Sequence, residues 1–212
     1  MKNIEKIINI IFSIFISLSI MLLCINIVLN FRELYYFDID YLKITDRVNI
    51  SKEEMILNYD YLVDYNLGKV DKEFEMPTIK SSKNGKIHFE EVRELFSRVN
   101  ILLINCLLIS IVGINRNIKQ RNVKILKYIS IDLILMPLTL LSLIFIDFDK
   151  TFVLFHEVFF DNDYWVFDSN LDPVIEILPK GFFMHCAVLV LSLILFSSMI
   201  VYLIYKKLKK NS

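Results

Sequence analysis

The chain has three histidines, His88, His156 and His185. Imidazole is the side chain whose ordinary pKa leaves both a lone pair and a donor available near neutral pH. His88 stands one helical turn before Glu91 in GKIHFEEVRELF (85–96), a spacing at which a carboxylate can orient the ring. His156 stands among aromatics in FHEVFFDNDYW (155–165). On a helix it would share a face with Phe152, Phe159 and Phe160. Burial there disfavours the charged ring and keeps a neutral base. His185 is read as structural, with catalysis the lesser alternative. Taken singly, each histidine is most simply ordinary packing or surface.

Other chemistries find no support. The sequence contains no Walker loop, GxGxxG, GxSxG or HExxH, and HFEE and HE are too short for zinc motifs. Cys24, Cys106 and Cys186 are odd in number, lie in or beside apolar runs and form no CxxC, so they read as small fillers in helix packing. The 24 basic and 24 acidic residues balance, which leaves no net field to attract nucleic acid. No cofactor is expected.

The elements that must hold these residues are written in apolar runs. Mean hydropathy is +0.51, high for a water-soluble chain of this length. A bilayer core of about 30 Å needs roughly 20 apolar residues in a helix. Four runs approach that: 7–29, 99–114, 126–146 and 182–205. The first is longer than a signal-peptide core and lacks a small-residue cleavage site, so it reads as a retained anchor. The second, with 16 residues, is the shortest, and Leu95 and Phe96 extend it. Asp132 in the third run is expected to make a polar contact between helices, and Pro137 to kink that helix.

Charge gives the orientation. Arg116, Lys119, Arg121, Lys124 and Lys127 crowd the 115–125 connection and the turn after it, and Lys206, Lys207, Lys209 and Lys210 fill the 206–212 tail. Residues 147–181 are acidic, with Asp147, Asp149, Glu157, Asp161, Asp163, Asp168, Asp172 and Glu176 against Lys150 and Lys180. Because cytoplasmic loops collect Lys and Arg, both termini and 115–125 are expected inside the cell, and 30–97 and 147–181 outside.

Residues 30–97 read as a small extracytoplasmic cap. Ser51 and Glu54 form a capping box ahead of Met55, Ile56, Tyr59, Leu62 and Val63, which predicts a helix over 51–66 closed near Gly68. Asn84-Gly85 predicts a turn, and helical spacing from Ile87 leads into the second span. Residues 147–181 carry Phe148, Phe152, Phe155, Phe159, Phe160, Tyr164, Trp165 and Phe167, an aromatic density suited to the membrane interface. The fold expected is an all-α polytopic membrane protein: four transmembrane helices, a small extracytoplasmic cap and an interfacial aromatic segment.

The stretch FHEVFFDNDYWVFDSNLDPVIEILPKGFF (155–183), together with GKIHFEEVRELF (85–96), resembles the lipoprotein intramolecular transacylases of Gram-positive bacteria. The chain departs from that pattern after the histidine, carrying Glu90-Glu91 in place of an Asp, which bears on the hydrogen bonding of His88. The resemblance implies an acyltransferase of the cell membrane with its active site at the extracytoplasmic face. Its substrates would be diacylglyceryl-modified lipoproteins, and its surroundings membrane lipid. One acyl chain would move from the S-diacylglyceryl group to the α-amine of the N-terminal cysteine, giving the lyso form. An ester becomes an amide, so no nucleotide is needed. On this reading His88 and His156 are catalytic. One is the base; the other stabilises the oxyanion or protonates the leaving glycerol oxygen, with an acyl-histidine as a second route. Asn162, Trp165 and Asp168 would position the substrate. Two other classes stay open from the residues alone. A metal-dependent membrane hydrolase would use the histidines and outer carboxylates as ligands, and a non-catalytic adaptor or sensor would tolerate their replacement.

Overall fold

The computed structural model describes residues 2–210, without the side chains of residues 2, 139–141 and 143–145. Among the described residues eight α-helices follow in chain order: α1 (Lys2–Asn30), α2 (Glu33–Tyr41), α3 (Lys52–Asn66), α4 (Lys83–Lys119), α5 (Lys124–Ile146), α6 (Phe148–Phe159), α7 (Val174–Ile177) and α8 (Lys180–Lys210). A 3-10 turn at Ile44–Asp46 stands between α2 and α3. Among the described residues, three helices are long and apolar enough to cross a membrane: Asn3–Asn30, Lys83–Lys119 and Lys180–Lys210. The expected third span, 126–146, coincides with α5, but residues 139–141 and 143–145 of it lie outside the described side chains. The brevity of the second apolar run is resolved by continuity, since α4 is one helix of 37 residues. At about 1.5 Å per residue such a helix exceeds the thickness of a bilayer core.

The chain forms two compact units. One comprises residues 1–27, 99–145 and 188–212. Here polarity runs opposite to a water-soluble protein. Ile101, Ile104, Leu108 and Val112 of α4, and Val188, Phe196 and Met199 of α8, are exposed, while Ser13, Ser17, Ser19, Ser110 and Ser198 are buried. Without water, such hydroxyls must find partners inside the bundle. Ser13 donates to Asp132 Oδ2 at 2.7 Å, Ser19 and Ser110 pair at 3.0 Å, and Ser198 donates to the Ser130 carbonyl at 2.7 Å. The expected interhelical contact of Asp132 is thus observed. Small residues bring the helices close: a Cβ on Gly113 would lie 2.6 Å from the Phe12 ring.

The other unit joins residues 28–98 with 146–187. The two polar segments that read separately in the sequence fold around a common core of Tyr35, Ile39, Met55, Tyr59, Phe74, Phe89, Ile177 and Phe182. Tyr35 and Tyr59 stack at 4.0 Å, and Phe182 meets both edge-on. The Tyr35 hydroxyl donates to the Ile177 carbonyl at 2.9 Å, which satisfies a polar group inside that core. Ser51 caps α3 by accepting from the Glu54 amide, and Gly68 follows the helix at φ +71°, as the capping box and glycine predict.

Asn84-Gly85 is not a turn; it lies in the first turn of α4. Ser82 overrides it by capping the helix, accepting from the Gly85 amide at 3.0 Å. Glycine serves a close approach instead. A Cβ at position 85 would collide with Asp172 Oδ1, which accepts from the Ser82 amide at 2.7 Å. His185 donates from Nδ1 to Asp38, whose oxygens lie at 2.8 and 2.9 Å, and Asp38 is fully buried. That pairing accords with a structural His185.

A buried histidine pair in an aromatic box

His88 comes from the second turn of α4 and His156 from the last turn of α6. Helix α6 starts where Asp147 accepts from the Lys150 amide at 3.0 Å, and it ends at Phe160, which has extended backbone. Every side chain of α6 from Val153 to Phe159 except His156 points outward, so the helix turns one residue inward. Phe159 is among the exposed ones and does not share the face of His156, contrary to the helical-wheel expectation. The helix ends there, and Phe160 turns back inside instead.

Both histidines are more than nine-tenths buried, His88 at 5% exposed and His156 at 8%. Their ring centroids are 5.9 Å apart. Aromatic rings wall the pair. Phe160 meets His88 edge-on at 4.8 Å and stacks on His156 at 5.7 Å; Phe167 meets His88 at 5.5 Å. Trp165 stacks on His156 at 4.6 Å, with Phe152 at 4.4 Å on the same ring. Burial holds the His88 pKa down to about 4, and the neighbouring His156 lowers it further within that value. Burial also lowers the pKa of His156, against a raising hydrogen bond to Phe152. Both rings are therefore neutral at pH 7.

A carbonyl only accepts, so the 2.7 Å contact between His156 Nδ1 and the Phe152 oxygen fixes Nδ1 as the donor. The lone pair of that ring is then on Nε2. His88 Nδ1 is buried without a hydrogen-bond partner among the described residues. A neutral imidazole with a free lone pair, beside a second neutral imidazole, can accept a proton from a nucleophile and return it to a leaving oxygen.

The other expected site residues divide. Asn162 donates to Glu91 Oε1 at 2.7 Å and accepts from the Tyr164 amide at 3.0 Å, which ties the 160–168 loop to α4 beside His88. Trp165 is held on His156. Asp168 is exposed, and its carboxylate accepts from the Asn170 amide and side chain at 2.9 and 3.0 Å. It shapes its own turn. Glu91 does not orient the His88 ring through a hydrogen bond, because its bonded oxygen goes to Asn162. That tether escaped the sequence reading; its one trace was an acid three residues beyond a histidine. Among the described residues, no group of three or more His, Cys, Asp and Glu converges as metal ligands.

The family model for the lipoprotein intramolecular transacylase Lit matches residues 10–183. The chain belongs to that family. With membership come acyltransferase activity, transfer of an acyl chain within a lipoprotein, and a place in the membrane. The structure of the membrane-integral transacylase Lit from Bacillus cereus is 37% identical, covers 100% of this chain and 98% of its own, and superposes with a TM-score of 0.94. Two variants of that transacylase, with a histidine replaced by arginine or by alanine, each match at 37% identity and a TM-score of 0.90. They cover 99% of this chain, and 94% and 96% of their own chains. A search of curated proteins finds no match.

Proposed function

We propose that the chain moves one glycerol-bound acyl chain of an S-diacylglyceryl lipoprotein onto the α-amine of its N-terminal cysteine, leaving the lyso form. The amine nitrogen attacks the ester carbonyl, the carbonyl carbon–oxygen bond to glycerol breaks, and the amine proton ends on the glycerol oxygen. The observation that carries this reading is the buried pair of neutral imidazoles, His88 and His156, with ring centroids 5.9 Å apart. An α-amine of pKa about 7.7–8.0 is largely protonated at neutral pH and must lose a proton before attack. One imidazole removes it; the other supplies a hydrogen bond to the developing oxyanion or protonates the leaving oxygen. Because donor and acceptor are one molecule, orienting them supplies part of the roughly 7–11 kcal/mol available to good alignment. Asn162 and Trp165 hold the histidines' surroundings, and no cofactor enters.

Four spans, 7–29, 99–114, 126–146 and 182–205, support this chemistry, with both termini cytoplasmic. The Lys- and Arg-rich 115–125 connection and the acidic 147–181 segment favour that orientation. It places the histidines at the extracytoplasmic face, where the acyl chains of a lipoprotein substrate lie in the outer leaflet. Exposed Leu154, Phe155, Val158 and Phe159 on α6 suit contact with that lipid. Nucleic acid has no part in it.

The test is expression in a bacterium that accumulates diacylglyceryl lipoproteins, followed by tandem mass spectrometry of an N-terminal lipopeptide. Fragments carrying an acylated amine are expected. Intact mass is uninformative because the reaction is an isomerisation. Unchanged diacylglyceryl fragments, with the protein present in the membrane, would refute the reading.

A further inference from the structure

One turn beyond His88 on α4 stands a carboxylate with half of its hydrogen-bonding capacity unused. Glu91 Oε1 accepts from Asn162 Nδ2 at 2.7 Å. Its Oε2 is buried without a hydrogen-bond partner among the described residues. His88 Nδ1, one turn earlier on α4, is in the same condition. Buried polar atoms are almost always satisfied, and a buried anionic oxygen costs more than a neutral one when it is not. Two such atoms at i and i+3 on one helix therefore mark a place that a polar group occupies during function.

The charge of that group follows from the neighbourhood. No cation of the protein pairs with Glu91 among the described residues. Arg93 donates to the Val70 carbonyl and lies over the Tyr65 ring, Lys86 pairs with Glu75, and Arg98 pairs with Glu94. The box itself holds His88 on the same helix and His156 on α6, whose rings are 5.9 Å apart, and both are neutral. A carboxylate only accepts hydrogen bonds, so the missing partner is a donor, and a cation satisfies it best. The lipoprotein substrate carries such a group: its N-terminal α-ammonium.

We infer that Glu91 Oε2 binds the substrate's α-ammonium and presents it to the histidine pair, making Glu91 a substrate-binding residue of the transfer site. The inference rests on the acyl-transfer reading above. The ammonium gives one proton to a neutral imidazole, which passes it to solvent, and attacks as the free amine; a second proton moves to the glycerol oxygen as the ester bond breaks, and the third stays on the amide nitrogen. Asn162 holds the first oxygen and leaves the second for the ammonium.

The experiment measures kcat/KM for a synthetic S-diacylglyceryl-cysteinyl peptide between pH 5.5 and 9 with wild type, Glu91→Gln, Glu91→Asp and Asn162→Ala. A glutamine keeps an acceptor for Asn162 and removes the charge. Glu91→Gln is expected to lose roughly 10- to 100-fold at pH 7, chiefly in KM, with Glu91→Asp recovering part of it. The profile also changes shape. Wild type, which uses the ammonium form, is most active between the acid loss set by the histidines and about pH 7.7–8.0; Glu91→Gln, which uses the neutral amine, keeps gaining through that range. A Glu91→Gln profile and KM matching wild type overturn the inference. So does Asn162→Ala reproducing the whole effect, profile included, because the tether alone would then suffice. If Glu91→Gln fails to accumulate, a lipopeptide with hydrogen in place of the amine decides on wild type: binding tenfold or more weaker supports the inference, and equal binding ends it. Absence of amide product from wild type would instead defeat the acyl-transfer reading itself.

Discussion

His156 donates its Nδ1 proton to the Phe152 carbonyl at 2.7 Å, one turn back on the same helix. That bond settles the tautomer, leaves Nε2 as the basic atom, and prevents the ring from turning its lone pair into the helix. Trp165 at 4.6 Å and Phe152 at 4.4 Å then fix the plane of the ring.

Replacing Trp165 by Ala removes the stacked ring without touching either histidine's hydrogen bonds. An aromatic pair of this kind is worth about 0.5–1.5 kcal/mol, so activity is expected to fall roughly 3- to 10-fold. Trp165→Phe should retain most of it. Steady-state rates on a diacylglyceryl lipopeptide check this, and an alanine variant as fast as wild type would contradict it.

Acidification should reduce stability before it reaches ordinary carboxylates. His88 has its folded pKa lowered from 6.5 to about 4, and His156 is lowered too. Above the unfolded value both states hold a neutral ring and nothing is lost. As pH falls from 6.5 toward 4, the unfolded chain takes up the proton and the folded one does not. Stability declines by about 3 kcal/mol for His88 across that window. Melting temperature in detergent as a function of pH is the measurement, and His88→Gln should flatten the decline. Unchanged dependence in that variant would assign the loss elsewhere.

How much of this was legible beforehand depended on range along the chain. The helix at 51–66 showed itself because Ser51, Glu54 and the apolar spacing act within a few turns. The two histidine blocks carried the family likeness. What stayed hidden was long-range. Nothing local tells that Asp172 reaches Ser82 or that Asn162 reaches Glu91. Asn84-Gly85 misled for the same reason, since the pressure that keeps residue 85 without a side chain comes from Asp172. The partner of His185 is Asp38, 147 residues away.

Gly85→Ala therefore tests packing rather than turn geometry. Its Cβ collides with Asp172 Oδ1, which must leave the Ser82 amide or push α4 aside. The expected cost is about 1–3 kcal/mol, seen as a lower melting temperature. Gly85→Ala combined with Asp172→Ala should cost less than the two changes summed, because the collision is gone. Strict additivity would argue against the clash.

Asp38→Ala leaves the His185 ring without its acceptor. Loss of a buried partner costs about 1–3 kcal/mol. Asp38→Asn, which keeps an acceptor of the same size, should lose less. Both variants are expected to retain catalysis per folded molecule, because among the described residues no hydrogen bond or ring contact joins Asp38 or His185 to His88 or His156. Folded fraction and turnover measured on the same sample separate the two effects.

The central claim is that His88 and His156 work on one substrate together, and single replacements test it most directly. His88→Ala and His156→Ala, purified from membranes and shown to be folded, are each given a diacylglyceryl lipopeptide. Amine-acylated product is then quantified by tandem mass spectrometry. Each variant is expected to lose roughly 100- to 10,000-fold in rate, the range for removing a positioned acid or base. Full activity in both would contradict the account.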